Sequence, residues 1–225
     1  MNKNNLIIII VAIIVSLSLS IDFIPNISID IRIKLITYIF SMFIVWASMK
    51  IQSRKMIDEM EKEKNRKKNL TVIFIIYSIL VATLLFLDSN YGRTNMYGDI
   101  QLFSKEHFDY YSNFMPFKTI FELIGRLQQG RISISIILTN ILGNMIVFAP
   151  YGIFIPLIYK EKFSSFKKFT LLMILIVFGV ELIQFITRTG IFDIDDLILN
   201  VLGAVIGFGL MKIKPITKLV NFVIK

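Results

Sequence analysis

The chain contains no cysteine and one histidine, His107. The first absence excludes disulfides, thiolate metal sites and a cysteine nucleophile. The second leaves no basis for His-rich metal ligation or a histidine base inside a membrane, since His107 falls in a stretch that reads as a loop. There is also no internal repeat, no low-complexity linker, no phosphate-cradling loop and no nucleophile motif. What the chain has in quantity is apolar side chain: 55% of its 225 residues are hydrophobic, against ~45–50% in ordinary soluble domains. Its mean hydropathy is +0.70. Windows of about 19 residues pick out stretches long enough to cross a hydrocarbon core as helices.

Six apolar spans are expected, at roughly 5–21, 35–51, 70–87, 136–159, 169–187 and 196–213. The first shares a basic start (Lys3) and small residues (Ser16, Ser18, Ser20) with cleavable leaders. Its apolar run is long and lacks an A-x-A site, so a retained helix is expected. The segment 50–68 carries eight basic residues: Lys50, Arg54, Lys55, Lys62, Lys64, Arg66, Lys67 and Lys68. Lys160, Lys162, Lys167 and Lys168 follow the fourth span, and Lys212, Lys214, Lys218 and Lys225 close the chain. Alternate counting of spans puts all of them on one side, which the positive-inside rule makes cytoplasmic, together with both termini. The net charge of +9 thus serves topology and anionic headgroups rather than nucleic acid. Within 50–68, Glu and Lys recur at helical spacing, as on a solvated charged helix. The expected fold is an all-α polytopic helix bundle. Residues 1–88 form an N-terminal three-helix region, 89–213 a second membrane domain with an extracytoplasmic segment 89–135, and 214–225 a cytoplasmic tail.

In this topology the polar residues collect at one depth, in the outer half of the membrane. Asn140 and Asn144 begin the fourth span on one face. Glu181, Gln184 and Arg188 end the fifth, spaced i, i+3, i+7. Asp196 and Asn200 begin the sixth, in a stripe that continues through Gly203 and Gly207. Ionised side chains at the centre of a membrane helix cost ~2.5–3.5 kcal/mol on insertion scales, so Glu181 needs a cavity, a proton or a partner. Arg188 on the same helix is one partner, although two turns away; its pairing with Asp193, Asp195 or Asp196 across the turn is geometrically easier. The amides read equally well as interhelical glue, and the G-x-x-x-G of Gly203 and Gly207 as a close-packing surface. The acids differ. Three Asp in four residues plus a Glu exceed what one Arg neutralises, and such an excess calls for a bound cation such as Mg²⁺ on Asp193, Asp195 and Asp196, a shared proton or a cationic ligand. In the 89–135 segment, Phe108, Tyr110, Tyr111, Phe114 and Phe117 suit either an interfacial aromatic belt or a lid over the acids, with Arg93, Asn113 and Pro116 as its polar and rigid elements.

Three stretches in order resemble the VanZ-like family of bacterial membrane proteins: NFMPFKTI (113–120), TNILGNMIVFAPYGIFIP (139–156) and ELIQFITRTGIFDIDDLILNVLGAVIG (181–207). The second carries Asn140, Asn144, Phe148, Pro150 and Gly152 at the family's spacing; the resemblance covers about 90–210. It implies a role in resistance to teicoplanin, a lipid-bearing glycopeptide that binds cell-wall precursors. Together with the abundance of Ile, Lys and Asn, it implies a bacterial plasma membrane. The leading expectation is therefore an envelope protein with an outward-facing acidic site, meeting membrane lipids and a lipid-linked precursor or glycopeptide. The alternatives are an outer-leaflet enzyme and a small-molecule transporter. In the enzyme, a base would be drawn from Glu181, Asp193, Asp195 and Asp196, Arg188 would bind phosphate or carboxylate, and Asn113, Asn140, Asn144, Gln184 and Asn200 would line the site.

Overall fold

The computed structural model describes residues 3–20, 29–87 and 101–224. The chain is an all-α membrane protein. Its helices are α1 (Lys3–Ser20), α2 (Ile31–Ser53), α3 (Glu59–Phe86), α4 (Lys105–Tyr111), α5 (Lys118–Gln128), α6 (Ile134–Ile158), α7 (Lys160–Phe163), α8 (Phe166–Thr187), α9 (Ile194–Leu210) and α10 (Lys214–Ile224). Two two-residue strands, β1 (Ser112–Asn113) and β2 (Phe192–Asp193), pair in parallel. Four helices (α2, α3, α6 and α8) are long and apolar enough to cross a membrane, and a fifth span is reached if α9 and α10 count as one. The six spans read from the sequence are thus approximate: the apolar part of α1, Asn5–Ser20, and α9 are both shorter.

The chain divides into two compact units, Met1–Asp88 with Lys214–Lys225, and Ser89–Ile213. In the first, α2 packs on α1 and α3. The charged half of the 50–68 segment forms the first turns of α3, where Asp58 caps the helix by accepting from Met60 N–H at 3.0 Å. Ion pairs Lys62–Glu59 (2.6 Å) and Arg66–Glu63 (3.4 Å) stitch its surface one turn apart. The stretch 214–224, expected as a tail, is helical and joins this unit: Trp46 Nε1 donates to the Val223 carbonyl at 2.9 Å.

In the second unit, α6 and α9 run side by side in the same direction, backbone against backbone. A Cβ built on Gly203 would overlap the Met145 backbone, one on Gly207 the Ala149 carbonyl, and one on Gly152 the backbone of Ala204 and Phe208. Three glycines in register therefore set the helix separation, because no other residue leaves room at the seam. In lipid, where apolar burial gives no drive, such close van der Waals approach is what holds helices together. Pro150 and Pro156 lie inside α6, and each removes one N–H from its helical ladder. The seam brings the starts of α6 and α9 to one level, and α8 arrives antiparallel at the same end.

Candidate functional site

Segment 181–200 unwinds α8 and starts α9. Arg188 ends α8 in the left-handed region, φ 56°, and the chain turns into β2. Asp193 caps α9 by accepting from Asp195 N–H at 2.9 Å. Glu181, only 2% exposed, accepts from Asp193 N–H at 3.2 Å. Helix start, helix end and strand are therefore joined through one buried carboxylate.

Segment 112–120 lies on this turn. Parallel pairing of Ser112 with Phe192 and of Asn113 with Asp193 sets the register. Asn113 Nδ2 donates to Asp193 Oδ1 at 3.0 Å and to Thr119 Oγ1 at 3.1 Å, and the Thr119 hydroxyl donates to Asp193 Oδ2. Between them the chain makes a tight turn. The Met115 carbonyl accepts from Lys118 N–H at 3.3 Å, Pro116 takes the second position, and Phe117 sits at φ 65°, ψ 3°. This is type II geometry, in which the third position normally belongs to glycine. The Asp195 carboxylate, 1% exposed, accepts from Phe117 N–H with one oxygen and from Ile120 N–H, at 3.3 Å, with the other. It thereby occupies donors that open α5 and have no partner within the helix.

The aromatic stretch divides by burial. Tyr111 is buried with Phe185 and Phe192, while Phe108, Tyr110, Phe114 and Phe117 are exposed. His107 lies in α4 rather than a loop, and it is fully buried. Its Nδ1 accepts from Phe103 N–H at 3.3 Å, which leaves the proton on Nε2 to donate to the Phe185 carbonyl at 3.2 Å. That carbonyl lies in the last turn of α8, where it also accepts from Arg188 N–H at 3.4 Å.

Other expected residues fall differently. Asn144 on α6 donates to Asp196, tying the two glycine-packed helices together, but Asn140 is exposed and bonds to none of the acids. Gln184 and Asn200 are buried at 3%, and Asn200 Oδ1 has no hydrogen-bond partner. Arg93 lies outside the described residues. The expected pairing of Arg188 with Asp193, Asp195 or Asp196 does not occur: no ion pair joins them among the described residues, and Asp193 and Asp195 are compensated by backbone, amide and hydroxyl donors instead. Nor do the three aspartates converge as a Mg²⁺ site. Among the described residues no group of three or more His or acidic side chains is placed to hold a metal ion. The carboxylates are taken up separately: Asp193 by Asn113 of β1 and Thr119 of α5, Asp195 by the backbone that opens α5, and Asp196 by Asn144 of α6. Sequence reasoning missed Thr119, His107 and the N–H groups of Phe117 and Ile120. The local signal that could have found the turn is Pro116, three residues after Asn113 and three before Thr119.

The fold and site define a polytopic helical membrane protein whose buried acids brace a surface turn and helix against the ends of its membrane helices. The chain belongs to the VanZ/LLP1 family, which matches residues 74–215. The match begins inside α3, earlier than the position near 90 where the resemblance starts. No curated protein and no solved structure matches the chain.

Proposed function

We propose that the protein works in a bacterial plasma membrane, with the acid-braced segment 112–128 facing outward, and that it lowers susceptibility to lipoglycopeptides of the teicoplanin type. The observation that carries this reading is the double grip of Asp193 and Asp195 on segment 113–120. It holds an exposed aromatic turn rigidly at the end of the membrane helices, a surface suited to a ligand that is part lipid and part peptide or sugar. The ligand is the glycopeptide or the lipid-linked wall precursor it targets. The distribution of Lys and Arg supports the outward orientation. An enzymatic reading is less well supported, because Asp193 and Asp195, two of its candidate bases, are taken up as acceptors of structural hydrogen bonds.

Two measurements test the proposal. Cells expressing the protein tolerate more teicoplanin than cells without it, and Asp195→Asn at equal membrane level removes the difference; undiminished tolerance in that variant refutes the role of the braced segment. Because the chain has no cysteine, Gln129→Cys and Lys64→Cys report orientation directly. An impermeant maleimide labels position 129 and not 64 in intact cells, and the opposite pattern inverts the topology.

A further inference from the structure

The helix α5 is two-faced. Lys118, Glu122 and Arg126 recur every four residues on one side, and Ile120, Leu123, Ile124 and Leu127 fill the other, with Phe121 at its edge. No residue of α5 is buried. Part of the apolar face rests on α6 and α9, but Phe121 is 68% exposed and Ile124 39%. The preceding turn extends this outer strip with Met115 and Phe117, 67% and 50% exposed. Phe117 is the informative member. Its left-handed backbone suits glycine and is held in place by the Asp195 carboxylate, while its ring stays half-exposed.

We propose that this strip inserts into the boundary between headgroups and acyl chains of the surrounding bilayer. Phe117, Phe121 and Ile124 enter the apolar region, and Lys118, Arg126 and Arg131 rest on anionic headgroups. Placement supports lipid as the occupant. Asp195, in the first turn of α9, fixes the start of α5, and α6 begins its membrane-length run at Ile134 only six residues beyond the end of α5. The helix therefore lies level with the ends of the membrane helices. The first turns of α6 are themselves apolar and exposed, at Ile134 and Leu138 on one face and at Ile136 on the other. From 118 to 131 there are three cations and one acid, Glu122, the charge balance of an interfacial helix on an anionic leaflet. The proposal stands whether or not the antibiotic role does.

The cysteine-free chain allows single nitroxide labels without other changes. Full-length Phe121→Cys and Glu122→Cys are labelled and reconstituted in phosphatidylcholine liposomes containing phosphatidylglycerol. Collisions with oxygen and with a water-soluble nickel chelate are then compared by spin resonance. The label at 121 should favour oxygen and that at 122 nickel. The preference at 121 should weaken when phosphatidylglycerol is omitted, and equally when Lys118, Arg126 and Arg131 are replaced together by Gln. Equal nickel access at 121 and 122 overturns insertion. So does an immobilised label at 121 shielded from both reagents, which would put a second copy or another protein on the strip. A preference indifferent to both charge changes overturns the headgroup contact.

Discussion

The backbone N–H of Phe117 ends on the carboxylate of Asp195, seventy-eight residues further along the chain. This bond joins a strained turn to the start of α9. It gives a buried acid a purpose that needs neither a metal nor a catalytic proton.

Removing that acceptor strands two peptide N–H groups. Asp195→Ala should lower stability by ~1–3 kcal/mol, the range for donors left unmade in a dry site, and should expose segment 114–130 to protease first. Thermal unfolding in detergent and mapped proteolysis check both. Asp195→Asn retains one acceptor oxygen but turns an amide N–H₂ toward a donor, so it should fall between Ala and wild type. An Ala variant that melts with wild type removes the bracing role.

Phe117→Gly should have the opposite sign. A left-handed residue other than glycine costs on the order of 1–3 kcal/mol, so glycine should stabilise the turn by up to ~1 kcal/mol after its greater unfolded freedom is counted. If the ring serves an external partner, the same variant loses function while melting higher. A lower melting temperature would mean that the ring is held by the protein.

The α6–α9 seam makes a sharp contrast between two glycines. Gly207→Ala drives a methyl into the Ala149 carbonyl, forcing the helices apart and costing ~1–3 kcal/mol as overpacking does. Gly179→Ala on α8 meets nothing within 4 Å and should be neutral, or stabilising by up to ~1 kcal/mol from helix propensity. Matched unfolding curves separate them, and equal effects would contradict the close seam.

His107→Phe keeps an aromatic ring near Phe185, whose centroid lies 4.2 Å away, but deletes both ring hydrogen bonds. The Phe103 N–H and the Phe185 carbonyl would each lose a partner, for an expected loss of ~1–3 kcal/mol. Unfolding of purified protein measures it. An unchanged curve would mean that water replaces the ring nitrogens.

The membrane helices were readable because their signal is local and repeated: a run of apolar side chains of bilayer length means the same thing in any context. For the same reason α6 and α8 start and end within about three residues of the spans read from the sequence. The i, i+4 spacing of Gly203 and Gly207 likewise marked a packing face without showing which helix would meet it. The charged half of α3 was readable from its Glu and Lys spacing.

The acid cluster was readable as a cluster and not as a mechanism. Charge counting suggested Arg188 or a cation as the partner of Asp193, Asp195 and Asp196, because sequence displays formal charges and hides peptide N–H groups. Those N–H groups are present at nearly every residue and carry no pattern. Which of them face a carboxylate depends on where β1 pairs with β2 and how the turn at Pro116–Phe117 places α5. The sequence by itself determined that acids gather where three membrane helices begin or end. Only the tertiary structure decided that Asp193 and Asp195 hold segment 113–120, because the neutral donors that meet them lie 74 to 80 positions earlier in the chain.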